Sequence, residues 1–291
     1  MESSHLEDII VNLLRLAATE LPVDVILQIK RALKNEINQI AREQLKAILK
    51  NIGIAKEENL PICQDTGIQT FFISVGTKFP LIEELTDIII RAVRRGTTEI
   101  PLRPNAVNPI TKENTGDNVG SFIPWINWKI VKGSDLEITV FPKGGGSENV
   151  SNVAMLNPAQ GLTGVKKFVL DTIIKAGGKP CPPIIIGIGI GGGVDICLKL
   201  AKEQLLRPVG QKHTNEIIAS IEEDLEYAIN DLGIGPMGLG GETTTLGVHI
   251  EVAMRHPASF PVGVVIQCWA ARRASAIITK EGNVKYTTHE V

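Results

Sequence analysis

The chain is 291 residues long, 43% of them hydrophobic, and it carries 30 Lys and Arg against 32 Asp and Glu for a formal net charge of −2. That balance lacks the basic excess that neutralises a phosphate backbone, which argues against nucleic acid as the main partner. No long apolar run free of Gly and Pro suggests a membrane span, and the opening MESSHLEDIIVNLLRL begins with acids where a secretory signal has a basic start, so a cytoplasmic protein is expected.

Residues 4 to 58 alternate polar and apolar positions at helical spacing, with Ser4 to Glu7 reading as a capping box and VILQIKRALKNEINQIAREQLKAIL behind it. A helical N-terminal layer over about residues 1–58 is expected. IQTFFISVG then reads as a strand, LIEELTDIIIRAVRR as a helix, and NWKIVKGSDLEITVF as two strands joined by a Gly-Ser turn. After the loop KGGGSENVSN come a helix in LTGVKKFVLDTIIKAGG, a buried strand PIIIGIGI and a helix VDICLKLAKEQLL. Residues 215 to 231 form another helix, GIGPMGLGGETT a glycine-dense loop, and HIEVAMR, PVGVVIQCW and ASAIITK the closing strands. This order gives an α/β class (mixed α+β), with the helical layer packed on a mixed β-sheet and Gly-rich loops lining the site. No repeat or composition break demands two independent domains, so one domain over 1–291 is expected.

The four cysteines fall at 63, 181, 197 and 268, too sparse for a disulfide scaffold. Cys63 sits in PICQDTG, Cys181 in GGKPCPP and Cys268 in QCWAARR, each near an element boundary and close to charged or backbone-stiffening residues. Cys197, in VDICLKLA, falls on the inward face of a helix and reads as a packed core thiol. Pro180, Pro182 and Pro183 are expected to hold Cys181 extended, aiming its sulfur with little freedom; a Pro-rich turn with an incidental cysteine is the bland alternative. Soft thiolates select zinc, copper(I) or iron–sulfur clusters, and the paired ligands of a structural zinc site are absent. Three separated thiolates suit a cubane [4Fe-4S] cluster with one iron open; at a net charge of about −1 it needs cations nearby to accept a dianion.

Gly187, Gly189 and Gly192 in GIGIGGGVD match G-x-G-x-x-G after a strand and before a helix, the formal dinucleotide fingerprint, but no second strand ends in an acid at the expected distance. A close-packed turn near a ligand is the preferred reading. The glycines of FPKGGGSEN, Gly146 among them, and the run Gly233 to Gly241 offer backbone N–H groups for an anion, or are ordinary loop glycines.

Among polar candidates, Arg103 lies between prolines in PLRPNAVNP, presented from a stiff loop to fork onto a carboxylate, although most lone arginines are merely solvated. Gln64 and Asp65 follow Cys63 directly; Asp65 can orient substrate or help a base, or be a turn carboxylate. His256 in MRHPASFP is a candidate carboxylate donor or general acid, His249 is equally a structural histidine, and Asp117 completes the set.

Taken together, CQDTG, LRPNAVNP, TGDNVG, FPKGGGSEN, KPCPPIIIGIGIGG, GPMGLGG and RHPASFPVGVVIQCWAARR resemble the N-terminal catalytic region, or separate alpha subunit, of the class I fumarate hydratase and L-tartrate dehydratase family, over roughly residues 10 to 280. The resemblance implies a [4Fe-4S] cluster on Cys63, Cys181 and Cys268, substrate contacts at Gln64, Arg103, Gly146 and His256, and catalytic roles for Asp65 and His256. It implies a hydro-lyase reaction, fumarate to L-malate as in the tricarboxylic acid cycle, with L-tartrate dehydration as the alternative. The chain shows no second region with the family's C-terminal motifs, so a beta subunit carrying that domain is the expected partner, in a dimer of alpha-beta pairs acting on a small dicarboxylate. Two other readings stay open: a nucleotide-dependent oxidoreductase built on GIGIGGG, and a cluster-bearing regulatory or assembly subunit.

Overall fold

A computed structural model describes residues 1–290 as two compact units, each assembled from separate stretches of chain. The first comprises Met1–Val23, Asn51–Gly145 and Arg272–Val291; the second comprises Asp24–Lys50 and Gly146–Ala271. No helix among the described residues is long and apolar enough to cross a membrane.

The first unit is a five-stranded mixed sheet in the order β2-β1-β3-β8-β9, with β1 at Ile68–Gly76, β2 at Trp125–Val131, β3 at Leu136–Lys143, β8 at Ala274–Ile278 and β9 at Val284–Tyr286. Phe71, Ile73 and Val75 of β1, Leu136, Ile138 and Val140 of β3, and Ala274, Ala276 and Ile278 of β8 recur at every second position and are buried on one face. Helices α1 (Ser3–Thr19) and α4 (Leu85–Glu99), with Phe79, Leu81, Ile100 and Leu102 flanking α4, supply the rest of that core. Leu6, Ile10, Leu13 and Ala17 of α1 return at helical spacing, as do Leu85, Ile88, Ile89 and Ala92 of α4. The two helices approach closely where Gly96 meets Leu14; a Cβ on Gly96 would lie 3.0 Å from its Cδ1.

Two expectations are corrected by these elements. The capping box does not form: Ser4 lies inside α1, the N-cap is Glu2 without a side-chain bond, and Glu7 instead binds Arg91 and Arg95. Strands β2 and β3 are no hairpin, because β1 lies between them, parallel to β2 and antiparallel to β3. The helices of the N-terminal stretch are divided between the two units. α1 belongs to the first unit, whereas α2 (Val23–Asn35) and most of α3 (Gln39–Glu57) belong to the second. Asp24 of α2 accepts the Val209 N–H at 2.7 Å, and Glu36 accepts the Glu242 N–H at 2.9 Å, tying that segment to loops of the second unit.

The second unit is a sheet in the order β4-β7-β5-β6, with β4 at Asn152–Leu156, β5 at Ile184–Gly192, β6 at Thr245–Arg255 and β7 at Phe260–Gln267. Ile186, Ile188, Val248, Ile250, Val262 and Val264 face helices α6 (Gly161–Ala176) and α8 (Glu216–Asn230), which contribute Val165, Val169, Ile173, Leu225 and Ile229. The other face of the sheet carries α7 (Val194–Gln204). There Gly187 and Gly189 of β5 stand directly beneath the helix backbone: an added Cβ would fall 1.9 Å from the Ala201 and Cys197 carbonyl oxygens respectively. These two glycines therefore lie inside a strand and clear space for a helix, where a dinucleotide fingerprint needs them in the turn. The oxidoreductase reading loses its motif for that reason.

Candidate functional site

In the first unit the chain leaves the buried Ile62 and turns through Cys63, Gln64, Asp65, Thr66 and Gly67 before entering β1. Gly67 has φ +78°, and a Cβ there would lie 2.9 Å from the Pro142 and Lys143 backbone, so the turn accepts only glycine. Asp65 locks the turn with both carboxylate oxygens, Oδ1 accepting the Gly67 N–H at 2.9 Å and Oδ2 the Gly145 N–H at 2.8 Å. Each oxygen keeps a further lone pair for a ligand or a proton. The Cys63 thiol is half-buried and donates to Gln64 Oε1 at 3.6 Å.

The loop after α4 folds onto this turn. Thr66 Oγ1 accepts the Arg103 N–H at 3.0 Å and the Asn105 side-chain amide at 3.3 Å, and that amide also donates to the Gly67 carbonyl at 3.1 Å. Arg103 is exposed, and its Nη1 donates to the Gln64 carbonyl at 3.4 Å. Behind it, buried Asn118 accepts the Asn105 N–H at 2.7 Å and donates to the Arg103 carbonyl at 3.0 Å. Cys63, Gln64, Asp65 and Arg103 are thus gathered in one neighbourhood by Thr66, Asn105 and Asn118. Sequence reasoning passed over those three; the signal available was Asn118 in TGDNVG, which adopts φ +58°, a conformation asparagine tolerates better than most residues. Asp117 is not part of that group. It pairs with Arg94 at 3.1 Å; burial pushes its carboxyl up, but the hydrogen bonds from Val119, Thr115 and Arg94 outweigh this and hold it below the ordinary range.

In the second unit Cys181 and Cys268 lie at the same end of the sheet. β5 and β7 are antiparallel with Ile185 opposite Gln267, so the residues before β5 and after β7 emerge together. The Trp269 N–H donates to the Cys181 carbonyl at 3.2 Å. Gly146 lies in the short helix α5 (Gly145–Glu148) that follows β3, and its neighbour Ser147 donates to Gln267 Oε1 at 3.5 Å, which brings this glycine-rich stretch to the same end. Cys181 is exposed but not extended: it has φ +55°, its N–H closing a turn onto the Gly178 carbonyl at 3.0 Å. The flanking prolines set their own φ, and the turn sets that of the cysteine.

His256 lies elsewhere. It precedes β7 at the Phe260 end, whereas Cys268 follows the Gln267 end, and a strand of that length separates them by roughly 23 Å at about 3.3 Å per residue. Its Nδ1 accepts the Ala258 N–H at 3.1 Å. His249 is buried on β6 and its Nδ1 donates to the Gln204 carbonyl at 2.9 Å, as a structural histidine does.

The thiols fit a soft metal group in their accessibility: Cys181 is exposed and Cys63 and Cys268 are half-buried, while Cys197 is fully buried and donates to the Val194 carbonyl at 3.2 Å. Burial also pushes the Cys197 thiol up, against thiolate formation. Among the described residues no three His, Cys, Asp or Glu side chains are grouped as a single-ion site; a cubane binds its thiolates on separate irons and does not require such a group.

A model of the family described as "Fumarate hydratase (Fumerase)" matches residues 7–277. The chain is 50% identical over 273 residues to a protein of Methanocaldococcus jannaschii named "Putative L(+)-tartrate dehydratase subunit alpha", covering 92% of this chain and 96% of that one. It is 38% identical over 287 residues to the "L(+)-tartrate dehydratase subunit alpha" of Escherichia coli O157:H7, covering 98% and 95%. A protein of the same name from E. coli strain UTI89 is 40% identical over 273 residues, covering 94% and 90%. With its CQDTG turn, its paired cysteines at one sheet end and a match running through both units, the chain belongs to the fumarate hydratase family of hydro-lyases.

Proposed function

We propose that this protein is the alpha subunit of an iron–sulfur hydro-lyase that adds water to, or removes it from, a four-carbon dicarboxylate, with fumarate and L-malate as the first reading. The observation that carries it is the contrast between three accessible thiols beside polar turns and one sealed in a helix. Cys63, Cys181 and Cys268 would hold a [4Fe-4S] cluster, whose open iron supplies Lewis acidity toward a substrate hydroxyl. The remaining work falls to the chain. Arg103, braced through Thr66, binds a substrate carboxylate; Gln64 and the Gly146 loop orient it; Asp65, fixed by two N–H groups, carries a proton at the reacting carbons. Neither unit is a continuous stretch of sequence, which supports treating 1–291 as one functional domain.

The relatives are named alpha subunits, which supports a separate beta subunit as the partner that completes the site; the assembly we propose is a dimer of alpha-beta pairs. They also favour a specific second reading, L(+)-tartrate as substrate. His256, at the far end of β7, serves the Cys181 and Cys268 end only from another copy of the chain.

The test is anaerobic reconstitution of the full chain with iron and sulfide, addition of the beta subunit, and assay with fumarate, L-malate and both tartrate enantiomers. We expect broad visible absorbance in the chain alone and turnover of fumarate and L-malate once the partner is added. Turnover of L(+)-tartrate alone would establish the second reading; a cluster-free but active enzyme would sink both.

A further inference from the structure

Two buried polar side chains of the first unit have no partner among the described residues. Arg272 is 1% exposed and makes no hydrogen bond or ion pair; Nε and Nη1 of its guanidinium are fully sealed. Gln69 is 0% exposed, and both its amide nitrogen and its amide oxygen are unpartnered. Arginine cannot shed its proton, so the charge persists, and an unpaired buried charge is among the costliest features a fold can carry.

The sheet register shows that the two belong together. Gln69 on β1 stands opposite Pro142 on β3, and Val140 stands opposite Ala274 on β8. Arg272 lies two residues before β8, just outside that ladder, and its Nη2 comes within 3.5 Å of where a Gly144 Cβ would stand. Gln69 and Pro142 form one row, on the face whose next row is Phe71, Val140 and Ala274 of the hydrophobic core, and Arg272 precedes Ala274 at that same end of the sheet. Where apolar side chains would close the core, the sequence places an amide and a guanidinium.

The row beyond is glycine. Gly144 has no Cβ, and one built there would lie 3.0 Å from Asp65 Oδ2 and 3.5 Å from Arg272 Nη2. The missing side chain lets the Asp65 carboxylate and the unpaired guanidinium approach the same glycine from two sides. A second anion beside Asp65 is tolerable only with a cation facing it, and Arg272 is that cation.

We propose that Arg272, assisted by Gln69, forms a carboxylate-binding subsite that takes one end of a four-carbon diacid beside Gly144. This rests on the reading of a dicarboxylate substrate given above. The planar fork of arginine suits the two oxygens of a carboxylate, and the Gln69 amide can donate to the same group.

The experiment titrates succinate, a diacid with no double bond or hydroxyl to react, into the full-length chain by calorimetry, alongside chloride and inorganic phosphate. We expect saturable succinate binding in the wild type, weakened about tenfold or more by Arg272→Gln and less by Arg272→Lys, since a charge without the fork retains part of the attraction. Gln69→Leu should weaken it to a smaller degree. Without ligand, Arg272→Gln should melt no lower than the wild type, because it removes an unpaired charge and leaves none behind. If Arg272→Gln does not fold, the proposal is overturned on stability, since the guanidinium then has a structural partner. It is equally overturned by absence of succinate binding, by unchanged affinity in Arg272→Gln and Arg272→Lys, or by chloride or phosphate binding as tightly as succinate. Iron and sulfide content of the reconstituted wild type is measured separately, so a failed cluster assignment is told apart from a failed subsite.

Discussion

Four thiols in one chain differ first in what surrounds each sulfur. Cys197 is enclosed by α7 and β5, spends its hydrogen on the Val194 carbonyl, and has its thiol pushed up by burial; it behaves as a small apolar side chain. Cys181 is held at φ +55° with its side chain exposed, a backbone state a non-glycine residue adopts only under constraint. Replacing Cys197 by Ala should leave iron and sulfide content unchanged after anaerobic reconstitution and cost stability alone, about 1–2 kcal/mol for the small cavity. Replacing Cys63, Cys181 or Cys268 by Ala should cut cluster content severely while leaving the thermal midpoint of the cluster-free chain nearly unmoved. Visible absorbance with iron analysis reads the first quantity, thermal melting of the iron-free protein the second. A Cys197→Ala chain that lost its cluster would reverse the ligand assignment.

At the scale of elements, α7 approaches its sheet over residues that have no side chain. Gly189 on β5 pairs with Gly263 on β7, and a Cβ on either would run into Cys197 of α7, at 1.9 Å from the carbonyl oxygen for Gly189 and 2.9 Å for Gly263. Backbone cannot yield as a flexible side-chain tip does, so Gly189→Ala must push α7 off the sheet. A loss of about 3 kcal/mol or more is expected, near the upper end for overpacking, measured as a lowered urea midpoint with unchanged slope. Gly161→Ala, whose Cβ would meet nothing within 4 Å, tests the strain of φ +52° alone. The same glycines show what sequence could and could not disclose. Strand β1, helix α7 and the buried place of Cys197 were legible because two-residue and helical periodicities are local. The role of Gly187 and Gly189 was not, since a glycine that clears a turn for phosphate and one that clears a strand for a helix look alike until the helix is in place. Gln64, Asp65 and Arg103 were legible as candidates from their flanking residues, but Thr66, Asn105 and Asn118, which join them, act through bonds 13 to 39 positions apart in the chain, beyond any local pattern.

Over the whole molecule the question becomes how a residue at one end of a strand can serve a site at the other. His256 and Cys268 flank β7 at opposite ends, and a β-strand has no means of folding its ends together. In an assembly with two-fold symmetry the far end of one copy can meet the near end of another, and each site then draws on both chains. Such sharing has a signature that no single-chain arrangement can imitate. His256→Ala and Cys268→Ala should each inactivate the enzyme when present in every copy. Mixed in equal amounts with the beta subunit and allowed to exchange, they form hybrids in which the copy with intact cysteines receives His256 from its neighbour. One site in each hybrid is then complete, and with random pairing about a quarter of wild-type activity per chain should return. If His256 acts within its own chain, each hybrid site lacks one component and mixing restores nothing. If it has no part in the reaction, His256→Ala is active before any mixing. Steady-state turnover of the two variants, separately and combined, distinguishes the three cases without knowledge of the interface, because each assigns a different activity to the same mixture.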